Sequence, residues 1–186
     1  MGEDNVYFEH FANSEKPSAK HSDFFERMIE GKQSATVQNP WLEPFLSDRW
    51  HHADLSQRLS KFWREVKKSQ PDHDEMKHCL IEVAVESMKF YQKNAGGASV
   101  DDEFTELVIG ESQRAALLHG DLNSPHEAYA VLLEEVEEVW EEVVSVPINR
   151  ESMATELIHV ASATLRAYIM LEVPTVRLPK VITIGD

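Results

Sequence analysis

The chain has 186 residues, with 18 Lys and Arg against 33 Asp and Glu for a formal charge of −15, which argues against non-specific binding to nucleic-acid polymers, since that needs basic side chains to neutralise phosphates. No apolar run approaches the roughly 18 to 20 residues of a spanning helix, and the acidic start MGEDNVYFEH is no signal peptide, so no membrane segment is expected. The single Cys79 excludes an internal disulfide and makes a reducing cytoplasm the expected compartment.

In chain order, residues 1–21 lack helical period and read as an N-terminal arm. A short amphipathic helix is expected from Ser22 to Gly31, followed by a loop through Asn39-Pro40 and Glu43-Pro44. Two longer helices follow at about 50–69 and 74–94, parted by Gln70-Pro71-Asp72, with Cys79 expected as a small buried residue. Residues 95–100, rich in Gly and Ala, read as a linker. A helix from about Asp101 to His119 and a loop through Gly120 lead to Ser124-Pro125-His126-Glu127, a capping box with Pro at the first helical position. The helix it opens stops near Val146-Pro147, and Arg150-Glu151 starts the next. A turn this short predicts antiparallel packing of the pair. Beyond Leu171, two prolines and β-branched residues predict an extended tail over 172–186. Its Val181, Ile182 and Ile184 are expected to cover the bundle or a second subunit.

The order of elements repeats. A shift of 77 aligns residues 55–91 with 132–168 without a gap, and ten of the 37 pairs are identical, including Trp63/Trp140, Met76/Met153 and Tyr91/Tyr168. Further upstream, Phe25–Gly31 resembles Phe104–Gly110 at a shift of 79. The expected fold is therefore an all-α helical bundle of two pseudo-repeated units, 22–94 and 101–171.

The acids are not repeated. At about 100° per residue, Leu132, Val136, Val139, Trp140 and Val143 form one apolar stripe, with Glu135 at its edge and Glu138 and Glu142 just beyond. In the next helix Met153, Leu157, Val160, Ala161, Thr164 and Tyr168 form another, and Glu156 and His159 stand at nearly the same offsets. Antiparallel packing then makes these side chains converge, an arrangement that is costly unless a cation neutralises it. Mg²⁺ suits carboxylate oxygens and bridges them to phosphates. The first half has Arg58 and Lys61 where the second has Glu135 and Glu138, and Cys79 and Glu82 where it has Glu156 and His159. Its basic run, Arg58, Lys61, Arg64, Lys67 and Lys68, either forms a solvated face, turns toward bound phosphate, or pairs with the glutamates of the second half.

Glu134-Glu135-x-x-Glu138 followed by Glu156-x-x-His159 resembles the paired EExxE and ExxD motifs of the MazG-like, all-α nucleoside triphosphate pyrophosphohydrolases. SPHEAYAVLLEEVEEVWEEV and ELIHVASATLRAY are most similar to the phage-type branch, and residues 22–94 match only as a degenerate copy. The resemblance implies a helical bundle, either dimeric or internally duplicated, that cleaves (d)NTPs to (d)NMP and pyrophosphate with Mg²⁺. It assigns metal ligation to Glu135, Glu138 and Glu156. His159 stands where the family usually has Asp, and neutral imidazole suits Mn²⁺ or Zn²⁺ better than Mg²⁺. Glu134 or Glu142 would orient or deprotonate the attacking water, Arg58 and Lys61 would contact substrate, and Trp140 would stack on a base or pack like its counterpart Trp63. A catalytically weakened relative that binds nucleotide or metal without turnover, and a helical interaction module, are the competing readings.

Overall fold

Six helices make up the computed structural model: α1 (Ala19–Gln38), α2 (Asp48–Val66), α3 (His73–Ala95), α4 (Val100–His119), α5 (Pro125–Val144) and α6 (Arg150–Glu172). Backbone is described for residues 19–38, 47–95 and 100–172, and no strand occurs among them. The arm at 1–18, the proline loop at 39–46, most of the linker and the tail beyond 172, with Val181, Ile182 and Ile184, lie outside the described residues. No described helix is long and apolar enough to cross a membrane.

The layering follows from how each helix distributes its apolar residues. In α3 every residue from Val83 to Met88 is buried, and in α6 every residue from Val160 to Leu165. Helices apolar on all sides belong in the interior, and α3 and α6 pack on each other at the centre of the bundle. The buried Ser87 and Thr164 bridge no partners across that seam. Each hydroxyl donates to the carbonyl four residues back, Val83 at 3.0 Å and Val160 at 2.7 Å, which satisfies it without a tertiary contact. The helices α2 and α5 bury one stripe each, Leu55, Leu59, Phe62 and Val66 in one and Leu132, Val136, Val139 and Val143 in the other. They flank the centre as outer layers.

Helix packing repeats between the halves. α2 packs on α3 and α5 on α6; α1 packs on α3 and α4 on α6; α1 also touches α6 and α4 touches α3. Exchanging α1–α3 with α4–α6 therefore returns the same set of contacts. The aromatic pairs obey the same exchange: Trp63 stacks on Tyr129 at 4.3 Å, and Trp140 lies 4.9 Å from His52. Between α1 and α4 the packing equivalence is Phe24 with Phe104, which lie against Tyr168 and Tyr91 respectively. That shift is one residue longer than the sequence similarity at Phe25 suggests.

Several helix ends form as the residues dictate. Ser124 Oγ accepts from Glu127 N at 3.2 Å, while the Glu127 carboxylate reaches back to Asn123 N at 2.8 Å, one residue before the cap. Asn149 Oδ1 caps α6 by accepting from Ser152 N. The first helix is longer than the expected Ser22–Gly31 because Gly31 is not a stop. A Cβ there would lie 3.0 Å from Val85 Cγ2, so the glycine lets α1 approach α3 closely.

Candidate metal centre

The seam between α5 and α6 is built of rungs. Antiparallel packing sets Glu135 beside His159, Glu138 beside Glu156 and Glu142 beside Ser152. The upper two rungs converge: Glu135, Glu138, Glu156 and His159 each offer a ligand atom, and these atoms all lie within 4.8 Å of one another. His159 Nδ1 is 2.9 Å from Glu156 Oε2 and 3.7 Å from Glu135 Oε2. The third rung is closed differently, by Ser152 Oγ donating to Glu142 Oε1 at 2.9 Å.

The stripes beneath explain the convergence. Leu132, Val136, Val139 and Val143 are buried on α5, and Met153, Leu157, Val160, Ala161, Thr164 and Tyr168 are buried on α6. With these faces fixed, the acids at their edges have one place to go. Trp140, expected within the α5 stripe, is instead 40% exposed and leans on His52 of α2.

Electrostatics mark the cluster as charge-strained. Burial, followed by the like charges of Glu138, Glu156 and Glu134, pushes the Glu135 carboxyl up to about 7, against the pull of His159. Burial and Glu156 likewise raise Glu138. The hydrogen bond with His159 holds Glu156 below the usual carboxylate range, and the same bond raises the imidazole. Without a cation the group therefore resolves into a Glu156–His159 ion pair beside Glu135, which still shares a proton near neutrality, with Glu138 raised in the same direction. Three carboxylates and one imidazole are a donor set that fits a divalent ion with hard-oxygen preference and tolerance for nitrogen, Mn²⁺ more readily than Mg²⁺.

Glu134 is exposed on the solvent side of the cluster, close enough for its charge to act on both Glu135 and Glu138. Glu142 sits one rung toward the turn, in the bond to Ser152. Sequence reasoning missed Glu111 of α4, whose charge raises the His159 imidazole; it is tied to Arg114 by two bonds of 2.6 and 2.7 Å. Its signal was an acid at the edge of a buried face, between Val108 and Ala115.

Arg58 and Lys61 stand on the α2–α3 seam, in the first half's copy of the rungs. Arg58 bonds Asp54 at 2.8 Å and lies 3.3 Å from Glu82; Lys61 reaches the same Glu82 at 3.0 Å. Lys68 pairs with Glu65, and Lys67 lies 5.2 Å over the Trp63 ring. Arg58, Lys61 and Lys68 thus pair with acids of their own half rather than with the glutamates of the second. Where the second half gathers unneutralised acid, the first neutralises itself.

No protein family, no curated protein and no solved structure matches this chain.

Proposed function

We propose that the chain is a divalent-metal-dependent nucleoside triphosphate pyrophosphohydrolase, cleaving (d)NTPs to (d)NMP and pyrophosphate at the α5–α6 seam. The observation that carries this reading is the convergence of Glu135, Glu138, Glu156 and His159 within 4.8 Å, in the order of the EExxE and ExxD motifs that the sequence resembles. A divalent ion held there supplies Lewis-acid charge for phosphate oxygens and lowers the pKa of a bound water.

The protein's own residues supply the rest. Glu135, Glu138 and Glu156 hold the cation, and His159 completes the set once it gives up its proton. Glu134, exposed beside them, is better placed than the Ser152-bonded Glu142 to take the proton of the attacking water. Substrate contact by Arg58 and Lys61 finds less support, because Glu82 holds both. Trp140 keeps an exposed face for a base, although its contact with His52 mirrors the packing of Trp63. Duplication of an ancestral three-helix unit, with the acids retained in one copy, is supported by the exchange symmetry of the helix contacts.

A weakened relative that binds nucleotide without turnover is favoured by one observation, the His159–Glu156 ion pair at 2.9 Å, which ties up two ligands at once. Quantifying NMP and pyrophosphate from a panel of (d)NTPs with Mg²⁺ or Mn²⁺ separates the two. Release that disappears in Glu135→Gln and Glu156→Gln supports the hydrolase, and nucleotide binding with no release under either metal replaces it with the second reading.

A further inference from the structure

The contacts α2–α3, α3–α6, α6–α5 and α5–α2 close a ring of four helices, and α1 and α4 pack on α3 and α6. Among the described residues no helix therefore lies across the opposite, α2–α5 side. Contacts between His52 and Trp140 and between Trp63 and Tyr129 set these two helices antiparallel, with Arg49 near the level of Glu141. Helical period puts Leu133, Trp140 and Val144 on one flank of α5, and all three are exposed along this seam. The first half carries Ser56 and Lys67 at the positions of Leu133 and Val144, so the bundle itself does not require apolar side chains there.

The two helices of this face carry opposite charge. Exposed Arg49 and Arg64 lie on α2, with exposed Lys67 and Lys68 just beyond its end, and none of its acids is exposed. The helix α5 has no Lys or Arg, and its exposed acids are Glu127, Glu134, Glu137, Glu138 and Glu141. A surface that is basic along one edge, apolar in the middle and acidic along the other is complementary to itself. A two-fold axis parallel to the helices lays the α2 of each copy on the α5 of the other, basic edge on acidic edge. An axis across them sets like charge on like. The face is about 30 Å long and about 20 Å wide, and its roughly 600 Å² lie at the lower end of what each partner of a stable interface buries.

We infer that a second copy of this chain docks on the α2–α5 face, in an isologous dimer with Arg49 of each copy against Glu141 of the other. The contact is additional to the pairing of units already contained in the duplicated chain. It leaves the acid centre open, because Glu135, Glu138 and Glu142 stand on the other flank of α5, toward α6. The dimer requires neither metal nor nucleotide, and so stands or falls separately from the hydrolase reading.

The test is sedimentation velocity of the full chain in EDTA and low salt, from about 1 to about 100 μM, the range in which an interface of this size exchanges partners. The expected result is a rise from one chain of 21.3 kDa to two, with association weakened by added salt. Arg49→Glu and Glu141→Lys each reverse one charge at both symmetry-related contacts, and each should weaken association at least about tenfold. Both new charges suit the helix ends they lie near, so the fold is kept, which a thermal melt checks. Mixed in equal amounts, the two variants should form dimers again, because each contact in the mixed dimer joins opposite charges. A wild-type chain that stays single throughout overturns the proposal and leaves the face to another occupant. A dimer indifferent to both substitutions, or variants whose mixture does not reassociate, overturns it as well.

Discussion

His159 Nδ1 lies 2.9 Å from Glu156 Oε2, one turn back on the same helix. The pair is the cluster's internal substitute for a cation, and it links metal binding to protons. A metal must displace the proton on His159 and the one retained by Glu135. Metal affinity should therefore rise steeply between about pH 6 and 8, with proton release on binding. Titrations in buffers of different ionisation enthalpy measure that release, and metal affinity independent of pH would argue against this coupling.

The metal-free protein should respond to pH in the opposite sense. Glu135, raised from 4.5 to about 7, keeps its proton in the fold but loses it in the unfolded chain between those values, so stability falls as pH rises through that window. The raised His159 adds a loss as pH climbs past the ordinary imidazole value of about 6.5. Thermal melts in EDTA should drop by roughly 2–4 °C for each kcal/mol lost between about pH 5.5 and 8, and by less in Glu135→Gln. Saturating Mn²⁺ should flatten the profile.

Much of this site was legible in the sequence, because helical period alone sorts Glu135, Glu138, Glu156 and His159 to the edges of two apolar stripes. The protein's all-helical class was legible for the same reason, and the turn at Val146–Asn149 fixed the antiparallel sense. Other features depend on tertiary neighbours. Trp140 reads as part of a stripe until His52 is seen to hold its ring on the outside. Gly31 reads as a helix stop, yet the nearness of Val85 explains it. The basic run had three readings open because its partners, Asp54, Glu65 and Glu82, are chosen by the fold.

Replacing His159 by Asp should improve use of Mg²⁺. The change removes the imidazolium that competes for Glu156 and adds a hard oxygen donor. Mg²⁺ affinity at neutral pH should rise at least about tenfold, the effect of roughly 1.4 kcal/mol, and the preference for Mn²⁺ should narrow. Calorimetry with both ions measures this, and an unchanged ratio would remove His159 from the ligand set.

The third rung should be structural. Ser152→Ala breaks the 2.9 Å bond to Glu142 at a cost of about 0.5–1.5 kcal/mol, with metal affinity unchanged. Denaturant unfolding and metal titration of the same variant separate the two effects. A large loss of metal affinity would bring Glu142 into the centre.

The first half carries a buried pair that the second lacks. His51 and Glu86, 2% and 0% exposed, meet at 2.7 Å, at the positions of Ala128 and Ala163. Glu86→Ala should cost about 3–5 kcal/mol because it strands His51 in the core. The double change His51→Ala with Glu86→Ala, which copies the second half, should cost less than the two single changes added together. A double-mutant cycle by denaturant unfolding measures the coupling, and strict additivity would deny it.

Metal ligation by the α5–α6 seam is tested most directly by titrating Mn²⁺ into the purified chain above pH 7, past the value to which Glu135 is raised. Saturable binding is expected at the α5–α6 seam, lost in Glu135→Gln with Glu156→Gln and retained in Glu82→Gln, which alters only the first half's copy. Binding that survives loss of Glu135 and Glu156, or no binding to the wild-type chain, would contradict it.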